Sequence, residues 1–159
     1  MLSVGSNIGN RLGHLQAAVD ALRPCLLAVS PVYETAAFGT EPQDPYLNAI
    51  VVADADIDAR GWLDRVRAVE AVAGRRRGRR WAPRTLDIDV IVVDDMVSAD
   101  AELTLPHPRA HERAFVLVPW LDVEPRAALP INAVRDTVRS LVRGLDTSGV
   151  RRRDDLKLC

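Results

Sequence analysis

Two hydrophobic periods alternate along this chain. Leu12, Leu15, Val19 and Leu22 recur at three- and four-residue steps, which predicts an amphipathic helix over 10–22, stopped by Pro24. Residues 26–35 are rich in β-formers and read as a strand, and 46–53 (YLNAIVVA) reads as its partner across a loop. Gly39, Pro42, Asp44 and Pro45 mark that loop. Trp62, Val66, Val69 and Ala73 give a second helix its apolar face, with Asp58 as N-cap and Gly74 as stop. Residues 85–93 read as a strand. Beyond it, 107–112 reads as a helical turn and 115–121 as an apolar segment. Residues 132–143 read as a helix with Val134, Val138, Leu141 and Val142 inward, and the tail from Ser148 as mobile.

Leu2 to Val4 reads as the end of a strand that leads into a Gly5-Ser6-Asn7 turn. The order is then strand, helix, strand, strand, helix, strand. This predicts one α+β domain over 1–159, with a ferredoxin-like βαββαβ core and a mainly antiparallel sheet with flanking helices. The first strand is central in such a sheet, so residues added upstream of Met1 are expected to lengthen its ladder and raise thermal stability.

Composition narrows the class. The chain has 159 residues, 48% hydrophobic and 27% charged, which suits a single soluble domain. It shows neither a membrane-length apolar run nor a signal-peptide pattern. Cys25 and Cys159 are too few for a disulfide framework, so a cytoplasmic location and a monomer are the expectations. A net charge of −1 argues against general nucleic-acid binding. The basic residues are unusual in kind, because all 21 are arginine except Lys157. Arginine grips phosphate with a bidentate fork. Arg75, Arg76, Arg77, Arg79, Arg80 and Arg84 crowd one segment that contains no acidic residue.

That segment runs into Asp87-Ile88-Asp89. On a strand, Asp87 and Asp89 share one face while Leu86, Ile88, Val90 and Val92 take the other. Two carboxylates so placed repel unless a cation joins them. Magnesium suits one or two carboxylates plus phosphate oxygens. A solvated sheet face is the plain alternative, but the arginines beside it point to a polyphosphate held between cationic loop and metal. Trp81 either anchors that loop or stacks on a ligand. Gly5, Gly9 and Gly13 lack the lysine of a P-loop. His107 and His111 lack a third zinc ligand, which leaves His107 as a phosphate contact. A magnesium-dependent nucleic-acid enzyme and a non-catalytic binding module are the competing readings. The charge balance and the scarcity of tyrosine and phenylalanine count against the first.

RWAPRTLDIDV, residues 80–90, resembles the signature of the 6-hydroxymethyl-7,8-dihydropterin pyrophosphokinases of folate synthesis. The Gly5-Ser6-Asn7 turn, YETAAFG and YLNA between 33 and 49, Glu70 with GRRRGRRW, and LTLPHPRAHERAFVLVPW follow in that family's order, so the resemblance covers about residues 2–125. It implies a ferredoxin-like enzyme that transfers the β,γ-pyrophosphoryl group of ATP to the pterin hydroxymethyl oxygen and releases AMP. By motif, Asp87 and Asp89 resemble the ligands of two magnesium ions. Arg75, Arg77 and Arg84 resemble the catalytic arginines. Glu70, Arg75, Trp81, Arg84, Thr104, His107 and Arg113 resemble ATP contacts. Gly5, Thr35, Phe38, Tyr46, Asn48 and Phe115 resemble the pterin pocket. Phe38 stands where an aliphatic contact is common in the family. Glu102 replaces an arginine and Pro108 a tyrosine that some members carry.

Overall fold

The computed structural model describes residues 1–37, 43–75, 83–131 and 134–159. Its central strand β1 (Leu2–Ser6) is followed by α1 (Arg11–Leu22), whose first turn is capped by Asn10 Oδ1 on the Gly13 amide. The strand expected over 26–35 is divided into β2 (Leu26–Val29) and β3 (Tyr33–Thr35). Ser30 makes the division. Its Oγ donates to Pro31 O and accepts from the Ile50 amide, and Pro31 has no N–H for a ladder. Strand β4 (Tyr46–Ala53) then runs back, and α2 (Ala59–Val72) opens at Asp58, whose carboxylate accepts the Gly61 amide. Gly74 turns the chain out of α2 at φ 74°, a conformation that disfavours any side chain. Strand β5 (Asp87–Val90) is shorter than the expected 85–93.

The remaining elements are β6 (Ser98–Ala99) with β7 (Thr104–Leu105), α3 (Ala114–Val123), β8 (Ala128–Ile131) with β9 (Val134–Thr137), α4 (Val138–Arg143) and β10 (Val150–Arg152). A single helical turn over 110–112 precedes α3. Two expectations are corrected here. The helix expected over 132–143 is β9 followed by α4, because 134–137 pairs with 128–131 and Thr137 Oγ1 caps α4 at the Ser140 amide. The segment expected to be a mobile tail supplies β10, paired with β3. It continues to Cys159, whose backbone amide and carbonyl both bond the Gln16 side chain.

The main sheet has six strands among the described residues. Its order is β10-β3-β4-β1-β5, with β2 also on β4, and every pairing is antiparallel. With β1 between β4 and β5, this is the expected ferredoxin-like arrangement. Alternation divides the sheet's residues between two cores. Leu2, Val4, Leu47, Ala49, Val51, Ile88 and Val90 face α1 and α2, where they meet Leu15, Val19, Leu22, Trp62 and Val66. Ile50 and Ile91 face α3 and α4, and pack on Val116, Leu117, Trp120 and Val138. Among the described residues no helix is long and apolar enough to cross a membrane.

Candidate active site

The second set of alternating positions builds the site. Ser3, Gly5, Thr35, Tyr46, Asn48, Asp87 and Asp89 all lie on the sheet face that carries α3. In register, Asn48 lies opposite Gly5, and Gly5 opposite Asp87. A side chain at residue 5 would fill this row, because a Cβ there would stand 3.1 Å from Asn48 Oδ1 and 3.5 Å from the Tyr46 ring. Glycine leaves a hollow instead. The resulting cavity, about 420 Å³, is lined by Gly5, Thr35, Tyr46, Asn48 and Phe115 on one side and by Arg84, Asp87, Asp89 and Arg113 on the other. That volume fits a flat bicyclic ring.

The neutral side is tightly bonded. Asn48 Nδ2 donates to Thr35 Oγ1 at 2.9 Å, and both residues are buried. This leaves Asn48 Oδ1 and its second N–H for a ligand edge. Burial raises the Tyr46 hydroxyl pKa, so the ring stays neutral. Phe115, in the first turn of α3, lies half-buried at the wall, with the Arg113 guanidinium 5.6 Å from its ring centre.

The charged side is a set of ion pairs. Asp87 holds Arg84 Nη1 at Oδ2 and lies 2.8 Å from Arg75 Nη2 at Oδ1. Partial burial opposes the charge on Arg84, but Asp87 outweighs it and the guanidinium pKa is raised. Asp89 Oδ2 accepts from Arg113 Nη1 at 2.7 Å, with His107 Nε2 3.8 Å away. His107 Nδ1 accepts the Arg109 amide, which puts the proton of the neutral ring on Nε2. Burial lowers the His107 pKa against the pull of Asp89, so the neutral ring is favoured. Glu70 is buried at the end of α2, where its Oε1 accepts the Ile88 amide at 2.7 Å and pairs with Arg75. Its carboxylate thus reaches the backbone between the two aspartates.

The geometry fits a hard cation. Asp87 Oδ1 is sealed from solvent with no aligned hydrogen-bond partner despite its proximity to Arg75. The donors available are two carboxylates on one face, with no third His, Cys, Asp or Glu grouped with them among the described residues. Magnesium asks for that sparse oxygen set, since substrate phosphates supply the rest.

Of the residues expected from sequence, Gly5, Thr35, Tyr46, Asn48, Arg84, Asp87, Asp89, Arg113 and Phe115 line one cavity. Arg75 and His107 reach it through the aspartates. Thr104 is turned elsewhere, its hydroxyl donating to Asp100 O. Glu102 is paired with Arg60 and Arg67 of α2. Phe38, Arg77 and Trp81 lie outside the described residues, as do Arg76, Arg79 and Arg80. Arg109 and Glu112 also line the cavity, joined by an ion pair, and sequence reasoning had not singled them out. Their spacing on the turn before α3 was the available signal.

Comparison with known proteins agrees with this geometry. The family model of 7,8-dihydro-6-hydroxymethylpterin-pyrophosphokinase (HPPK) matches residues 1–125. The 2-amino-4-hydroxy-6-hydroxymethyldihydropteridine pyrophosphokinase of Mycobacterium bovis is 40% identical over 168 residues, which cover 99% of this chain and 88% of that protein. The protein of the same name from Methylorubrum extorquens is 39% identical over 155 residues, 95% and 96% of the two chains. Among solved structures, wild-type HPPK-DHPS of Plasmodium falciparum with SDX-DHP matches with a TM-score of 0.67 at 13% identity. That match covers 95% of this chain but 46% of the Plasmodium one, and bears on fold alone. With the sheet order, the pocket and the matched signature in agreement, the chain belongs to the 7,8-dihydro-6-hydroxymethylpterin-pyrophosphokinase family.

Proposed function

We propose that this cavity carries out magnesium-dependent transfer of the β,γ-pyrophosphoryl group of ATP to 6-hydroxymethyl-7,8-dihydropterin. The observation that carries the reading is one row of the sheet. Asn48, Gly5 and Asp87 stand side by side, so a ring seated over Gly5 has its edge against an amide and its hydroxymethyl end beside a carboxylate. The pterin oxygen attacks the β-phosphorus, the bond from that phosphorus to the α,β-bridging oxygen breaks, and AMP leaves. The product is the pterin diphosphate, a precursor of tetrahydrofolate.

Each residue's role follows from its chemistry. Asn48 presents donor and acceptor to the pterin edge, Thr35 holds Asn48, and Tyr46 and Phe115 wall the ring. Phe38 is assigned to the same pocket by resemblance. Asp87 and Asp89 would hold magnesium, two ions in this reading, which would neutralise phosphate charge and polarise the attacking hydroxyl. Arg75, Arg84 and Arg113 release the aspartates and take phosphate oxygens, and Arg77 and Trp81 are assigned to the same side by resemblance. His107 and Glu70 are assigned to the ATP side, and Thr104, whose hydroxyl donates to Asp100 O, only by resemblance. Transfer of this kind is mainly positioning and charge stabilisation, so the absence of an obvious general base among the described residues is tolerable and none is assigned. The protein acts as a cytoplasmic monomer with small-molecule substrates and no nucleic acid.

A phosphorus NMR time course with ATP, magnesium and the pterin tests this reading. Pterin-dependent AMP together with a pterin diphosphate is expected. Production of ADP would mean γ-phosphoryl transfer, and no turnover would leave the binding-module reading in its place.

A further inference from the structure

Asn7 follows β1 and is 1% exposed, yet it makes no side-chain bond within its own turn. Its Nδ2 donates to Gln43 Oε1 at 3.0 Å and to Asp44 O at 3.4 Å. Its Oδ1 accepts the Arg84 amide at 2.8 Å, and its own amide donates to Arg84 O at 3.1 Å. The orientation of the side-chain amide is settled by backbone partners, since Arg84 N–H can only donate and Asp44 O can only accept. Both partners sit in segments that flank the cavity. Residues 43–45 lead directly to Tyr46, where Arg11 Nη1 adds a bond to Pro45 O at 2.6 Å. Arg84 aims its guanidinium at Asp87. A residue needed only to close a turn would spend its amide locally. Asn7 instead reaches partners 36 and 77 residues further along the chain.

We propose that Asn7 is a positioning residue for pyrophosphoryl transfer. It joins the approach to the pterin wall and the backbone of the phosphate-side arginine into one unit. The inference rests on the functional reading above. Its two halves are separable because the amide has two ends. Asn7→Asp keeps an acceptor for Arg84 and loses the donor to 43–44, whereas Asn7→Ala loses both.

The experiment measures pterin KM, kcat from AMP release, melting temperature and Arg84 amide exchange for wild type, Asn7→Asp, Asn7→Ala, Gln43→Ala and Asn7→Asp with Gln43→Ala. Asn7→Asp should raise pterin KM roughly tenfold, hold kcat within about threefold and keep the Arg84 amide protected. Asn7→Ala should add a kcat loss of up to about 100-fold and lose that protection. Gln43→Ala should raise pterin KM alone and add nothing to Asn7→Asp. Variants with lower melting temperature but unchanged KM and kcat would overturn the proposal, as would a Gln43→Ala effect that multiplies fully in the Asn7→Asp background. If Asn7→Ala does not fold, the Asn7→Asp and Gln43→Ala arms decide. A wild-type protein without pterin-dependent AMP release would overturn the functional reading itself, while a normal wild-type rate with unmoved variants overturns the role of Asn7 alone.

Discussion

The two sides of the cavity are held in different ways. On the side proposed for the pterin, Gly5, Thr35, Asn48 and Tyr46 stand on paired strands, and the Asn48–Thr35 bond joins buried neutral groups. Among the described residues, none of these bonds must break before a ring enters. On the phosphate side, Arg75, Arg84 and Arg113 are engaged by Asp87 and Asp89, the groups that a cation would need. In the proposed reaction those ion pairs exchange partners, arginine moving to phosphate and carboxylate to metal. The neutral side is therefore preorganised, and the charged side balances its own charge until ligands replace one set of pairs with another.

Substitutions can pull these sides apart. The largest effect is expected from Asp87→Ala or Asp89→Ala, which should lower kcat by about 10³-fold or more. Pterin affinity, read by fluorescence titration, should stay within about threefold. A parallel loss of pterin affinity would mean the sides are not independent. Next comes Arg75→Ala, with kcat down on the order of 100-fold and ATP affinity much less affected. Steady-state kinetics showing a raised ATP KM at unchanged kcat would contradict a transition-state role.

Gly5→Ala tests the neutral side. Its methyl group would crowd Asn48 Oδ1 at 3.1 Å, so pterin KM should rise about tenfold with kcat within a factor of two, and stability should fall by about 1–2 kcal/mol. Kinetics indistinguishable from wild type would remove the argument for a glycine hollow. The smallest effect concerns the strand beneath. Tyr33, opposite Asn48 on β3, is buried and donates to Asp122 Oδ2 at 2.7 Å. Burial, with Asp122, pushes its hydroxyl pKa from 10.0 to about 12. The unfolded chain therefore loses this proton first, so stability falls as pH rises between those values, by on the order of 2 kcal/mol. Tyr33→Phe should flatten that stretch of the denaturation profile. An unchanged slope would assign the loss to other groups.

How much of this was legible in the sequence depended on range. The Asp87–Asp89 pair could be read because alternation on one strand is local. The helix caps at Asp58 and Asn10 are local too. Ser30-Pro31 could have divided the long strand, and the β-branched Val134 and Thr137 could have signalled a strand and a cap. Helical spacing over 134–142 masked that signal. Glu70 was placed on ATP by resemblance, and its bond to the Ile88 amide was invisible because it depends on how α2 packs beside β5. The same holds for Asn7. A Gly-Ser-Asn turn can be seen in the chain, but partners at residues 43, 44 and 84 cannot.

Glu70 also guards the sheet at its margin. Strand β5 ends the strand order, and an unpaired edge offers amides to any extended chain that approaches. At Ile88 the outward amide is already taken by the Glu70 carboxylate. A negative charge thus stands where an incoming strand would need to place a carbonyl. The strand that bears both aspartates therefore has its midpoint amide closed to strand addition, without an added strand over the face that carries the cavity.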